Sequence, residues 1–120
     1  MKKILVCEKE EVLLTALEFR LRKQGYEVEQ AIDGVKALNM VEAKRPDILI
    51  IGTESKKMSG LEVLRQLRGK LDEPLPVILI APLEAEEEIM EGFRLGADDF
   101  VTKPFKPVEL VLRVRRLFEL

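Results

Sequence analysis

Charged residues gather where short apolar runs stop. Glu8, Lys9 and Glu10 follow ILVC; Gly52, Thr53, Glu54 and Ser55 follow DILII; Lys103 and Pro104 follow DFVT. Two acids after one strand, a third after another and a lysine after a further one would compose a magnesium-dependent phosphoryl-acceptor site. Carboxylate oxygens would hold the hard cation, one carboxylate would attack phosphorus, and the lysine would neutralise the transferred group. The run PDILIIGTESKKMSG, however, ends its apolar stretch on Gly52, which has no side chain to contribute. The chain has no histidine, which excludes imidazole acid–base catalysis, imidazole metal ligation and a phosphohistidine.

Whatever these residues do, alternating elements must position them. ILVC, EEVLLTALEFRLRKQ, YEVEQA, GVKALNMVEAK and DILII alternate apolar runs with amphipathic stretches, the rhythm of βα units. Gly25 caps the first helix, Asp33-Gly34 turns the second strand into the second helix, and Pro46 closes that helix. The pattern continues as a helix near Leu61 to Arg68, a strand VILIA flanked by Pro74 and Pro76, a helix near Glu84 to Leu95, Gly96 as a cap, a strand DFVT, and a last helix from Pro107. DILII and VILIA are apolar without alternation, as strands covered on both faces are, so the sheet is expected to be parallel. Right-handed crossovers then give an α/β, doubly wound, five-stranded three-layer sandwich with its site at the carboxyl ends of the strands.

The 120 residues, 47% hydrophobic, fit a single domain over 1–120, with no linker or repeat. A net charge of −2 supplies no global field for nucleic acid or an acidic membrane surface. Cys7, the sole cysteine, lies inside an apolar run, which excludes a disulfide framework and fits a reduced, intracellular setting. The apolar run near the N-terminus is four residues long, too short for a signal peptide or membrane span, and a cytoplasmic protein is expected.

Over essentially its whole length the chain resembles the receiver domain of bacterial response regulators, a CheY-like, flavodoxin-like fold. ILVCEKE resembles the first strand with its acidic pair, PDILIIGTESKKMSGLEVL the acceptor strand and loop, VILIAP the fourth strand, and GADDFVTKPF the fifth. The resemblance implies that Gly52 occupies the place of the phosphoacceptor aspartate, Lys9 that of the second acid and Ala81 that of the switch hydroxyl residue, while Glu8 and Lys103 remain. Lys56 replaces the usual loop proline, whereas Met58 and Gly60 fit. Three carboxylates and a lysine would give the pocket −2, whereas Glu8, Lys9, Gly52 and Lys103 sum to +1. Each unit-charge pair is worth about 4 kcal/mol at about 4 Å and an effective dielectric of about 20. A millimolar site needs only about 4 kcal/mol, so magnesium is not expected to bind. No cofactor is expected. Lys9 or Lys103 is instead expected to cross the vacated pocket toward Glu8 or Glu54.

The expected function is therefore a phosphorylation-independent pseudo-receiver, a protein-interaction or regulatory module of a two-component system, and not an enzyme. Its partner would be a kinase, an output domain or another signalling protein. The alternative is a receiver still phosphorylated or metal-binding through a non-standard acceptor, with Thr53, Glu54, Ser55 and Glu10 at hand. A nucleotide-binding enzyme is disfavoured, because neither GxxxxGK[ST] nor GxGxxG occurs. Direct DNA binding has only Arg113, Arg115 and Arg116 on the last helix, diluted by Glu109 and Glu119.

Leu110, Val114, Leu117 and Phe118 suit the core face of that helix, leaving Val108 and Leu112 toward water beside Arg115 as the candidate contact surface. In receivers of the winged-helix transcription-factor subclass a face of this kind forms a symmetric dimer joined by ion pairs. Asp98, Asp99 and Arg113 resemble members of that set, although Arg94 and Ile89 depart from it. Phe100 matches the family's switch aromatic and, with Ala81 in place of the hydroxyl residue, is expected to stay in one rotamer. An output domain could follow Leu120.

Overall fold

The computed structural model describes residues 1–70 and 74–119, so Leu120, after which an output domain could follow, lies outside the described residues. Strands β1 (Lys3–Cys7), β2 (Glu27–Ala31), β3 (Ile48–Gly52), β4 (Val77–Ala81) and β5 (Asp99–Thr102) alternate with helices α1 (Glu11–Lys23), α2 (Gly34–Lys44), α3 (Gly60–Lys70), α4 (Glu86–Arg94) and α5 (Pro107–Phe118). All pairings are parallel and the spatial order is β2-β1-β3-β4-β5. The order reverses direction between β1 and β3, which opens a crevice at their carboxyl ends.

The two apolar strand faces bury two separate layers. Ile4, Val6, Ile48, Ile50, Ile78 and Ile80 face α1 and α5, where Leu14, Leu17, Leu21, Leu110, Val111 and Val114 meet them. Leu5, Leu49, Ile51, Val77 and Leu79 face the other way, against Ala37 and Val41 of α2 and Val63, Leu64 and Leu67 of α3. Alternate side chains of a strand point to opposite faces, so a strand covered twice is apolar at every position. That is the physical content of DILII and VILIA.

The boundaries follow local chemistry. Asp33 caps α2 by accepting a 2.8 Å hydrogen bond from the Lys36 amide, and Arg45 ends α2 in the left-handed region just before Pro46. Gly25 and Gly96 follow α1 and α4 with positive φ, as their expected capping role requires. On α5, Leu110 and Val114 are buried and Leu117 and Phe118 half-buried, as the spacing predicts. Val111, outside the expected core face, is buried too, because the helix lies in the groove between the sheet and α1 and covers a wider stripe.

Candidate functional site

The crevice outside β1, β3, β4 and β5 is lined by Glu8, Lys9, Gly52, Glu54, Ser55, Ile80, Pro82 and Lys103. Its free volume is about 10 Å³, roughly the space of one water. Side chains fill the remainder. Glu8 is buried, and its Oε2 accepts a 2.7 Å hydrogen bond from the Glu10 amide at the start of α1 and one of 3.0 Å from the Lys103 ammonium. The same ammonium donates to Glu10 Oε1 at 2.9 Å. Burial alone would push the Lys103 pKa down, but the hydrogen bonds and charges of Glu10 and Glu8 outweigh it and hold the ammonium above the ordinary lysine value.

Lys9 turns to Glu54, with Nζ 3.4 Å from Oε1. The sequence leads to the expectation that Lys9 or Lys103 pairs with Glu8 or Glu54, and in the structure each lysine pairs with one of them. The charge count needs correction, because Glu10 and Glu54 enter the cluster. With them included, three charged groups become five, and Glu8, Lys9, Glu10, Glu54 and Lys103 sum to −1. What occupies the crevice is thus a set of closed ion pairs rather than an excess of positive charge. From the sequence Glu10 is a candidate alternative acceptor and not a partner of Lys103, because it is the first residue after the acidic-basic pair. Only the turn into α1, fixed by its amide on Glu8, brings its carboxylate back over Lys103.

Gly52 lies at the end of β3, directly beneath Glu8. A Cβ there would stand 3.1 Å from Glu8 Oε1 and 3.9 Å from the carbonyl oxygens of Cys7 and Ile80. The Glu8 carboxylate therefore leans into the volume that a position-52 side chain would occupy. The backbone around Gly52 is held on all sides. The Thr53 amide donates to the Ile80 carbonyl at 2.9 Å, the Ser55 amide to the Gly52 carbonyl at 3.2 Å, and the Gly60 amide to the Thr53 carbonyl at 3.2 Å. Gly60 packs so closely on the Gly52 carbonyl that a Cβ at position 60 would collide with it.

The neighbouring hydroxyls and thiol are engaged or inert. Ser55 Oγ donates to the Met58 carbonyl at 2.7 Å, and buried Thr53 donates its Oγ1 proton to Glu88 Oε2 at 2.9 Å. Burial, helped by Asp33 and Glu8, pushes the Cys7 thiol up to about 12. Ala81, also buried, presents only a methyl group at the end of β4. Phe100 is half-buried and meets Phe93 edge-on, with ring centroids 5.4 Å apart.

The proposed contact face divides in two. Val108, Leu112 and Arg115 are exposed. Asp98, Asp99 and Arg113, read from the sequence as members of an intermolecular ion-pair set, are instead engaged within the chain. Buried Asp99 takes Arg113 at 2.7 Å and Arg116 at 3.4 Å, because α5 crosses directly over the start of β5. The hydrogen bond to Asp99 leads the raising of the Arg113 pKa, against burial. Asp98 accepts from the Val77 amide at 2.8 Å and from Arg68 at 3.2 Å. Two of the three arginines that suggested a basic DNA-facing surface are thereby turned toward a carboxylate.

The same frame recurs among known proteins. The structure aligns with that of the Francisella response regulator 1452 receiver domain with a TM-score of 0.91 and 28% identity, covering 99% of this chain and 98% of that one. It aligns with the chemotaxis response regulator CheY4 of Vibrio cholerae with a TM-score of 0.88 and 28% identity, over 97% and 98% of the two chains. In sequence it is 39% identical over 117 residues to the alkaline phosphatase synthesis transcriptional regulatory protein PhoP of Bacillus subtilis (strain 168). That match spans 97% of this chain and 48% of the PhoP length, so the chain corresponds to about half of this relative. Residues 4–115 match the response regulator receiver domain family, which takes in every strand end that builds the crevice; this chain belongs to that family.

Proposed function

We propose that this receiver domain works without phosphorylation, as a pseudo-receiver whose pocket is held by internal ion pairs. The observation that carries the reading is Lys103 bound to Glu8 and Glu10 above Gly52, in a crevice with about 10 Å³ left. Position 52 has no atom that can attack phosphorus, and acyl-phosphate chemistry there is impossible. Each nearby group of the alternative acceptor set already has a partner: Thr53 has Glu88, Ser55 has Met58, Glu54 has Lys9 and Glu10 has Lys103. A magnesium ion would have to break those ion pairs before it met two free carboxylates.

Without phosphotransfer the domain acts by recognition in a two-component system, and is not an enzyme. Its partners are proteins: a kinase, an output domain or a further signalling protein. Val108 and Leu112, 46% and 56% exposed, with Arg115 beside them, form the contact surface, and a homodimer through α5 is one assembly this surface suits. The likeness to a transcriptional regulator suggests transcription as the output governed by the full protein. The reading places the domain in the cytoplasm; among the described residues no helix is long and apolar enough to cross a membrane.

The test is titration of Mg²⁺ followed by beryllofluoride, read by backbone amide NMR at Glu8, Gly52 and Lys103, with intact mass after acetyl phosphate. Unchanged shifts up to about 20 mM metal, well above a millimolar dissociation constant, and an unchanged mass are expected. Saturable shifts or a stable phosphoryl adduct would overturn the reading in favour of a non-standard acceptor.

A further inference from the structure

Helix α4 is attached to the sheet differently from the other four. Each of the others buries at least three residues, whereas α4 buries Gly92 alone, which lies so close to Leu79 of β4 that a Cβ would displace that side chain. The outer side of α4 leaves Met90 71% and Phe93 46% exposed. Its N-terminal turn has no side-chain cap, since Ala85 occupies the cap position. A helix bound through so little apolar area gains little from packing, and its hold depends on the few specific contacts it makes.

We propose that the Thr53–Glu88 hydrogen bond is a latch that docks the first turn of α4 onto the carboxyl end of β3. Thr53 is 2% exposed, adjoins Gly52, and donates its hydroxyl proton to Glu88 Oε2 at 2.9 Å, across 35 residues of sequence. Glu88 is the third residue of α4, where a glutamate ordinarily reaches back to its own helix cap. With no hydroxyl at position 85 to return the bond, the carboxylate reaches outward to β3 instead. A negative charge in the first turn also suits the helix dipole, so the latch holds Glu88 where the helix favours it. Ala81 at the end of β4 has no hydroxyl, and the chemical link between the crevice floor and α4 runs through β3. Thr53 is thus a positioning residue for α4. This holds whether or not the domain is phosphorylated.

Amide hydrogen exchange of the full chain, read residue by residue, tests the latch. Thr53→Val removes the hydroxyl at nearly constant volume, and Thr53→Ser keeps it. Loss of one hydrogen bond to a charged group should raise exchange of the α4 amides about tenfold in Thr53→Val. Exchange in α1 and α5 should stay at the parent value, and Thr53→Ser should restore α4 protection. In the Glu88→Ala background, Thr53→Val should add nothing further. Unchanged α4 protection in Thr53→Val, an equal rise in every helix, or full additivity of the two substitutions would each overturn the latch.

Discussion

Replacing Gly52 with aspartate, and in parallel with asparagine, asks whether the crevice tolerates a second carboxylate. The backbone at position 52 has no positive φ, so an L-residue meets no conformational penalty there. Its Cβ would stand 3.1 Å from Glu8 Oε1, which must give by a few tenths of an ångström, and both variants share that cost. They differ in charge. The aspartate oxygens would lie about 4 Å from the Glu8 carboxylate, a repulsion of about 4 kcal/mol at an effective dielectric of about 20. Attraction to Lys103 would offset roughly half, because that ammonium is already shared by Glu8 and Glu10. The Asp variant should therefore be less stable than the Asn variant by about 2 kcal/mol at pH 7 without divalent metal. Urea denaturation at constant m-value measures the difference directly, and it should shrink as the pH falls through the carboxylate range. Equal midpoints for Asp and Asn at pH 7 would refute the picture of a crevice saturated by ion pairs.

Lys103→Met should cost about 1–3 kcal/mol of unfolding free energy, less than a fully buried pair, since Glu8 keeps the Glu10 amide while its ammonium partner is 20% exposed; urea midpoints at pH 7 check it. Cys7 and Lys103 both have folded pKa values above their unfolded ones, Cys7 rising from 9.0 to about 12. Both contributions are complete below pH 9 and are lost as the pH rises through the folded values, so stability should be flat to about pH 9 and fall beyond it. In Cys7→Ala that fall should be shallower. At pH 8 the native Cys7 thiol should react with iodoacetamide far more slowly than a peptide thiol, because burial both raises its pKa and blocks access. If α5 mediates self-association, sedimentation at high concentration should show a dimer that Leu112→Glu dissociates; a monomer indifferent to that change would leave the face to a different partner.

The fold was legible because both sheet faces are covered: ILVC, ILII and VILIA are apolar throughout, and Gly25, Asp33, Pro46 and Gly96 mark turns whose geometry depends on those residue types. The crevice was partly legible. Residues at strand ends could be assigned by position, and charge pointed to Lys9 or Lys103 turning toward Glu8 or Glu54 without deciding which. Glu10 and Thr53 were not legible as structural partners, because their contacts depend on where α1 and α4 begin in space. The ion-pair set at Asp98, Asp99 and Arg113 shows the opposite limit. Sequence identified charged residues of the right types, but whether Arg113 reaches its own chain's Asp99 or a neighbour's depends on the path of α5 over β5.

The close seat of Gly60 on the Gly52 carbonyl, with the amides of Thr53, Ser55 and Gly60 all bonded, keeps the backbone of the crevice intact whatever side chains line it. On the proposed reading, silence here is written in side chains alone. Gly52→Asp, Lys9→Glu and Ala81→Thr are each within reach of a single base change, the first from a GGT or GGC codon. On the proposed reading the departure from a phosphate acceptor is shallow in mutational terms, and laboratory evolution toward a responsive receiver can begin from this chain.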